Sequence, residues 1–313
     1  MTLDLGHGPI LTDGGCETTL IFENGIDLPH FASIVLMRDA DGRKALEGYF
    51  RPYLELAAER RTGFILESPT WRASPDWAAP LGFDLSDLED LNAGAIALMR
   101  DLRAEYSGRI DPLLVSGCIG PRGDGYLAEN RMSAEEAADY HAFQAQIFAR
   151  EGCDLVSAIT MTNIAEGQGV ARAAAAAGLP SVISFTVETD ARLPSGETLA
   201  DAIATLDADR DARPAYYMIN CAHPDHFADE LLAGSDWASR IRGLRTNASR
   251  LSHAELDACE ELDAGNPQEL GRQTASLAAA LPNLQVFGGC CGTDHRHVSE
   301  MANAVLGGHA KAA

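Results

Sequence analysis

One pattern limits what this chain can fold into. A short apolar run ends in a glycine or polar turn, a stretch rich in Ala, Leu, Glu and Arg follows, and the unit recurs along the whole sequence. The apolar runs fall at 10–12, 64–66, 113–115, 155–159, 182–186, 216–220, 241–246 and 284–287. They are apolar throughout rather than alternating, as strands are when both faces are buried, and this argues for a parallel sheet. Between them the sequence predicts helices over 44–61, 133–151, 164–177 and 293–306, among others. Ser133-Ala134-Glu135-Glu136 reads as a capping box, Gly178 and Pro180 close the alanine-rich helix, and Thr293-Asp294 is an N-cap. Strand–helix units of this number and length predict the α/β class and a (β/α)₈ TIM barrel, a single domain over 1–313 with 307–313 as a frayed tail. An open doubly wound sheet is the alternative, but no Gly-x-Gly-x-x-Gly turn follows the first strand. In a barrel the polar turns gather at the C-terminal mouth, which places Asp13, Glu67, Cys118, Cys221, Asn247, Cys290 and Cys291 together.

The densest motif at that mouth is Gly288-Gly289-Cys290-Cys291-Gly292-Thr293. Neighbouring cysteines do not readily bond to each other. Flanking glycines let the backbone turn tightly, so both sulfurs can face one point. That arrangement suits a soft metal, zinc among the common ones, and Asn220-Cys221 at the end of another apolar run supplies a third sulfur. Small buried cysteines are the plainer reading of each residue alone. Three thiolates around Zn²⁺ leave a net charge of about −1 and one open position. Such a metal is a weak Lewis acid, yet it can hold a substrate thiol as thiolate, which points to alkyl transfer to sulfur. A zinc hydrolase or lyase would instead need His223 or His295 as ligands. His223, His226, His295 and His297 read as capping or surface residues, and Cys16 and Cys118 as packing residues with no adjacent base. Cys153 and Cys259 read as structural residues of helical stretches.

Composition narrows the partners. Asp and Glu number 46 against 24 Lys and Arg, a formal net charge of −22 that repels phosphate backbones and excludes nucleic acid. No basic leader or bilayer-length apolar stretch is present, so the sequence predicts no membrane partner and a cytoplasmic protein. Seven cysteines without framework spacing fit a reducing compartment. The stretch 70–86, with Trp71, Pro75, Trp77 and Pro80, reads as an ordered rim. The polar stretch 247–266 reads as a lid, a contact within a homo-oligomer or a solvated insertion.

Asp13-Gly14-Gly15 with Thr19-Leu20, Gly117-Cys118-Ile119-Gly120-Pro121, Asn220-Cys221 and the Gly288 to Thr293 motif together resemble the homocysteine S-methyltransferases. That family includes betaine– and S-methylmethionine–homocysteine methyltransferases and the homocysteine module of cobalamin-dependent methionine synthase. The resemblance implies a (β/α)₈ barrel with Zn²⁺ held by Cys221, Cys290 and Cys291, and Asn220 beside the metal. It implies that Asp13 and the backbone near Gly14 hold the amino-acid part of homocysteine, with Thr160 and Asn220 also near substrate. The implied reaction moves a methyl group from a small sulfonium or quaternary ammonium donor to a small-molecule thiol, homocysteine giving methionine. No folate- or cobalamin-binding module fits in this length, so the donor is a small molecule. Family members commonly carry Glu-Thr or Glu-Tyr at the end of the fourth strand, where the Glu binds the substrate amino group. This chain reads Ala158-Ile159-Thr160 there, and its second-strand turn is Glu67-Ser68-Pro69-Thr70-Trp71 rather than Thr-Asn-Thr-like. Either Glu67 takes the amino contact from a different strand, or the acceptor is another small thiol that lacks that group. Trp71, Trp77 and Tyr126 are candidates for holding a cationic donor, and each also reads as a hydrophobic rim residue.

Overall fold

The computed structural model describes residues 3–128, 131–234, 236–259 and 261–309. Eight strands, β1 (Ile10–Leu11), β2 (Gly63–Glu67), β3 (Leu113–Ile119), β4 (Leu155–Met161), β5 (Ser181–Phe185), β6 (Tyr216–Asn220), β7 (Ile241–Thr246) and β8 (Val286–Gly289), form a closed barrel in sequence order. Neighbours are parallel, and β8 closes on β1 with Ile10 opposite Val286. The connecting helices are α1 (Ala40–Arg60), α2 (Leu85–Tyr106), α3 (Ala134–Arg150), α4 (Ile164–Ala176), α5 (Leu199–Ala208), α6 (Pro224–Ala233), α7 (Pro267–Ala280) and α8 (His295–His309). No described helix is long and apolar enough to cross a membrane.

Alternation along each strand divides the core in two. Phe64 and Leu66 face the helices and join a large outer cluster with Phe50, Ile96, Phe148 and Phe287. Ile65 faces inward with Ile10, Leu155, Val182, Tyr216, Met218 and Val286, and these fill the barrel. Each fully buried side chain of this kind contributes about 1.5–3 kcal/mol. Two residues further toward the mouth, the same parity brings polar groups inward: Glu67 after Ile65, Asn220 after Met218 and Arg245 after Gly243, all buried. The barrel is therefore a hydrophobic plug with a polar layer on top.

Local chemistry sets the helix ends. The Ser133 hydroxyl accepts from Glu136 N and the Glu136 carboxylate accepts from Ser133 N, so the capping box forms as read from sequence. α1 starts four residues before 44 because Asp39 Oδ1 accepts from Gly42 N at 2.8 Å and caps it. β3 and β4 run into what the sequence reads as turns, to Ile119 and Met161. α8 continues past Leu306 to His309, so 307–309 are helical rather than frayed, and 310–313 lie outside the described residues. Cys259 is exposed and lies beyond the short helix His253–Asp257, contrary to its reading as a structural helix residue.

At the end of the barrel away from the mouth, Asp207 of α5 accepts from Arg240 Nε and Arg213 Nη2 at 2.8 Å and from Tyr217 Oη at 2.9 Å. Burial alone would raise its pKa, but those donors hold it down at about 2. An unfolded aspartate titrates near ~3.9, so this stabilisation is present above that pH and is lost as pH falls toward about 2. Asp207→Asn is expected to remove roughly 2 kcal/mol at pH ~7 and to flatten the acid limb of stability below pH ~4, as measured by urea melts across pH. A variant with an unchanged acid limb would remove Asp207 as its cause.

Candidate metal centre

Cys221 directly follows β6, and Cys290-Cys291 directly follow β8, so the topology delivers all three to the mouth. Cys221 N donates to Arg245 O at 3.1 Å and Cys290 N to Thr246 O at 2.8 Å, which ties both turns to β7. Gly292 turns the chain at φ +77, a conformation that favours glycine, and Thr293 donates to Cys290 O through both N and Oγ1. Gly15 permits close approach from β1, since a Cβ there would lie 2.6 Å from Cys290 O.

The sulfur-bearing atoms of Cys221, Cys290 and Cys291 lie within 4.8 Å of one another. Cys221 and Cys290 are joined as a disulfide with Cα atoms 5.3 Å apart, and Cys291 Sγ stands 3.8 Å from Cys221 Sγ. The sequence reading had these three cysteines as zinc-bound thiolates with no disulfide; once two distant turns bring sulfurs this close, they are within bonding reach. A disulfide sulfur is not a thiolate, so this pair ligates metal only when reduced. The donor set fits zinc: Zn–S bonds of about 2.3 Å in a tetrahedron space sulfurs at about 3.8 Å. Among the described residues the cluster contains no imidazole and no carboxylate. His223 instead caps α6 by accepting from Asp225 N, and His297 is fully buried with Nε2 2.8 Å from Ala264 O.

Asn220 lies under the sulfurs, fully buried. Its Oδ1 accepts from Thr160 N at 2.9 Å and Ser184 Oγ at 2.6 Å, while Nδ2 donates to Thr160 Oγ1 at 2.7 Å and approaches Cys290 Sγ at 3.8 Å. Its amide is used up, so Asn220 braces the centre and has nothing left for a substrate contact. Thr160 and Cys221 both sit at positive φ, 67 and 51, a strain of about 1–2 kcal/mol each; the Asn220 bonds hold Thr160 there, and the bond from Cys221 N to Arg245 O holds Cys221.

Above the sulfurs, Tyr126 Oη donates to Cys291 Sγ at 3.4 Å and its ring stacks on His253 with centroids 4.1 Å apart. His253 has Nε2 2.8 Å from Cys221 O and Nδ1 2.8 Å from Glu188 Oε1. Sequence reasoning named Tyr126 but missed His253 and Glu188. His253 belongs to the polar 247–266 stretch, which folds back so that Ser249, Leu256 and Asp257 line the cavity over the centre.

That cavity encloses about 520 Å³ and is lined by Asp13, Gly14, Glu67, Trp71, Tyr126, Ile159, Thr160 and the three clustered cysteines. Arg245, also missed, is its innermost cation: 6 % exposed, with Nη2 2.9 Å from Asp13 Oδ1 and Nη1 4.0 Å from Glu67 Oε1. Its signal was a cation at the last inward position of β7. Asp13 Oδ2 accepts from Tyr49 Oη at 2.8 Å. Burial raises the pKa of both Asp13 and Glu67, and Arg245 opposes that rise. Glu17, which accepts from Ser33 Oγ at 2.7 Å, and Asp124 and Asp257 add negative charge nearer the opening. Asn247 is buried outside the cavity wall.

The tryptophans are already engaged. The Arg72 guanidinium lies 5.0 Å from the Trp71 ring and 4.6 Å from the Trp77 ring, and Trp71 Nε1 donates to Ile159 O at 3.0 Å. Trp71 lines the cavity but Trp77 does not, its ring being packed against Arg72 and His30. Trp77 is thus withdrawn as a donor contact. Cys16 and Cys118 line the cavity outside the sulfur cluster, and burial pushes both thiols well up.

Comparison with known proteins agrees with this geometry. A family model described as homocysteine S-methyltransferase matches residues 10–305. The homocysteine S-methyltransferase of Escherichia coli (strain K12) is 30% identical over 151 residues, 44% of this chain and 47% of that protein. Homocysteine S-methyltransferase 1 of Zea mays is 26% identical over 191 residues, 55% of this chain and 57% of that protein. The chain thus spans about half the length of the curated relatives it matches. Among solved structures, the oxidized form of the homocysteine methyltransferase MmuM from Escherichia coli superposes with a TM-score of 0.74, covering 94% of each chain. The metallated form of MmuM gives 0.70, covering 94% of this chain and 96% of that one, and both are 20% identical, a likeness of fold. With its motifs, its barrel and a family match that runs almost end to end, the chain belongs to the homocysteine S-methyltransferase family.

Proposed function

We propose that this protein is a zinc-dependent S-methyltransferase that moves a methyl group from a small sulfonium or quaternary ammonium donor to homocysteine, giving methionine. The observation that carries the reading is the convergence of three sulfurs, free of imidazole, at the mouth of this family's barrel. Reduced Cys221, Cys290 and Cys291 would hold Zn²⁺, and the metal would keep the acceptor's sulfur as a nucleophilic thiolate at neutral pH. Asn220 fixes the approach of Cys290, and Tyr126 donates to Cys291 and so eases the negative charge of a sulfur-rich site. Thiolate attack on the methyl of a cation cancels charge, and the apolar faces that Trp71, Tyr126 and Ile159 turn to the cavity favour that cancellation. Alignment of sulfur, methyl and leaving group supplies much of the remaining rate. Glu17, Asp124 and Asp257 give the opening a negative field that favours a cationic donor. The histidine-ligated hydrolase reading has no imidazole in the cluster to support it.

The test is a donor–acceptor screen on zinc-loaded, reduced protein: homocysteine and simpler thiols against S-methylmethionine, S-adenosylmethionine and betaine. Methionine formation with at least one sulfonium or quaternary ammonium donor is expected. If every pair fails while an ester or amide is cleaved, a hydrolase replaces the transferase.

A further inference from the structure

The innermost wall of the cavity carries two charges whose pairing the protein leaves incomplete. Glu67 closes β2 at an inward position and is 5 % exposed. Its Oε2 is buried and, among the described residues, accepts no hydrogen bond. The Ser116 and Ser157 hydroxyls nearby bond to each other at 2.7 Å and partly offset the rise that burial imposes on the Glu67 carboxyl. Arg245 Nη1 stands 4.0 Å from Glu67 Oε1, an ion pair too long for a hydrogen bond. Of the other Arg245 nitrogens, Nε donates to Gly289 O at 3.2 Å and Nη2 to Gly14 O at 3.3 Å, while Nη2 is ion-paired with Asp13 Oδ1 at 2.9 Å, an oxygen that likewise accepts no hydrogen bond among the described residues. Buried charged groups are nearly always hydrogen-bonded, and an exception marks a place where something else completes the set. Here an anion and a cation stand side by side, each with hydrogen-bonding capacity left over and both lining the cavity. That is the complement of a zwitterion. Asp13 lies close enough to neutralise Arg245, which leaves the unbalanced negative charge on Glu67.

We propose that Glu67 and Arg245 clamp the amino-acid end of the acceptor, Glu67 taking the α-ammonium and Arg245 Nη1 the α-carboxylate. The inference rests on the methyl-transfer reading above and says which part of the acceptor is recognised, and by what. The amino contact then sits on the second strand, and Ile159 at the end of the fourth supplies an apolar wall. Asp13 and Tyr49 are positioning residues that hold the guanidinium, in contrast to the direct contact that family resemblance assigns to Asp13. A thiol without the ammonium leaves Glu67 buried and unpaired, which the site penalises.

Calorimetric titration of the full chain under reducing conditions tests this with L-methionine, its deaminated analogue γ-(methylthio)butyrate and its decarboxylated analogue γ-(methylthio)propylamine. Wild type should bind L-methionine at least about 10-fold more tightly than either analogue. The isosteric Glu67→Gln should lose at least about 10-fold for L-methionine and for the amine, leave the butyrate unchanged, and raise the KM for homocysteine. Arg245→Lys, which keeps the charge but not the fork, should lose L-methionine and the butyrate and spare the amine. Wild type binding the butyrate as tightly as L-methionine would overturn the clamp. So would Glu67→Gln with unchanged L-methionine affinity and homocysteine KM, or no binding of any of the three ligands. Retention of the wild-type preference without turnover of any thiol supports the clamp and removes the methyl-transfer reading instead.

Discussion

Cys290→Ala is expected to bind zinc more than about 100-fold more weakly than the wild-type chain, with methyl transfer falling at least as far and the barrel intact. Replacing groups that merely orient a ligand already costs about 10–100-fold, and here one of only three candidate donors is removed. Fold loss is not the expected cause. Cys290 is half-buried, its main-chain bonds to Thr246 and Thr293 survive the change, and in reduced protein, where no cross-link is lost, removal of one sulfur costs on the order of 1–2 kcal/mol. Cys118→Ala is the matched control, a cavity cysteine outside the cluster that should leave zinc affinity unchanged. Competition against a chromophoric chelator reads affinity, and circular dichroism reads the fold. Wild-type protein should take up zinc only after reduction of the Cys221–Cys290 pair, because a disulfide offers no thiolate. Wild-type zinc affinity in Cys290→Ala would reduce the three sulfurs to a disulfide and a packing residue.

The barrel was legible because its strands are buried on both faces and read as continuous apolar runs, a signal that needs no knowledge of partners. Strand ends were less so. Ser116 looks like a turn residue in sequence, yet it is buried and bonds to Ser157 inside the barrel, so β3 extends past its expected end. The sulfur cluster was legible because two of its members are adjacent in a glycine-flanked turn. Asn220 stands beside the sulfur cluster, where the family resemblance puts it, but its amide is spent on protein partners rather than left for substrate. Its partners Thr160 and Ser184 come from two other strands, and only their convergence shows that the amide is spent. Arg245, Glu188 and His253 are single residues whose meaning lies wholly in distant partners: Arg245 reaches Asp13, and His253 links Glu188 to Cys221. Trp77 failed in the opposite sense, since an aromatic residue in a rim loop does not say which way its ring faces.

Arg245→Met is expected to destabilise the barrel by about 3–5 kcal/mol at pH ~8, the penalty for stranding buried charges. Arg245 is the cation within 4.0 Å of both Asp13 and Glu67, and those carboxylates are 3 % and 5 % exposed. Burial already raises both pKa values against the pull of Arg245, and without that pull they rise further. The sign of the pH dependence follows. A carboxylate whose folded-state pKa lies above its unfolded value binds protons preferentially in the folded state. Its contribution is therefore fully present below the unfolded value, about pH 4, and is lost as pH rises through the folded one. The deficit of Arg245→Met relative to wild type should accordingly be smallest in acid and grow toward pH ~8, its change falling at higher pH than that of Asp207→Asn because the stranded carboxyls titrate above the ordinary range. Adding Asp13→Asn and Glu67→Gln removes the stranded charges and should restore most of the stability, since a buried ion cluster replaced by neutral groups of similar volume is often neutral or better. Methyl transfer to homocysteine should not return with it, because the triple variant lacks both halves of the zwitterion clamp. Urea melts at pH ~5 and pH ~8, paired with the methyl-transfer assay, separate the two roles. A pH-independent deficit would show that Arg245 matters for its packing volume, and a triple variant that recovered activity would show that its charge serves the fold alone.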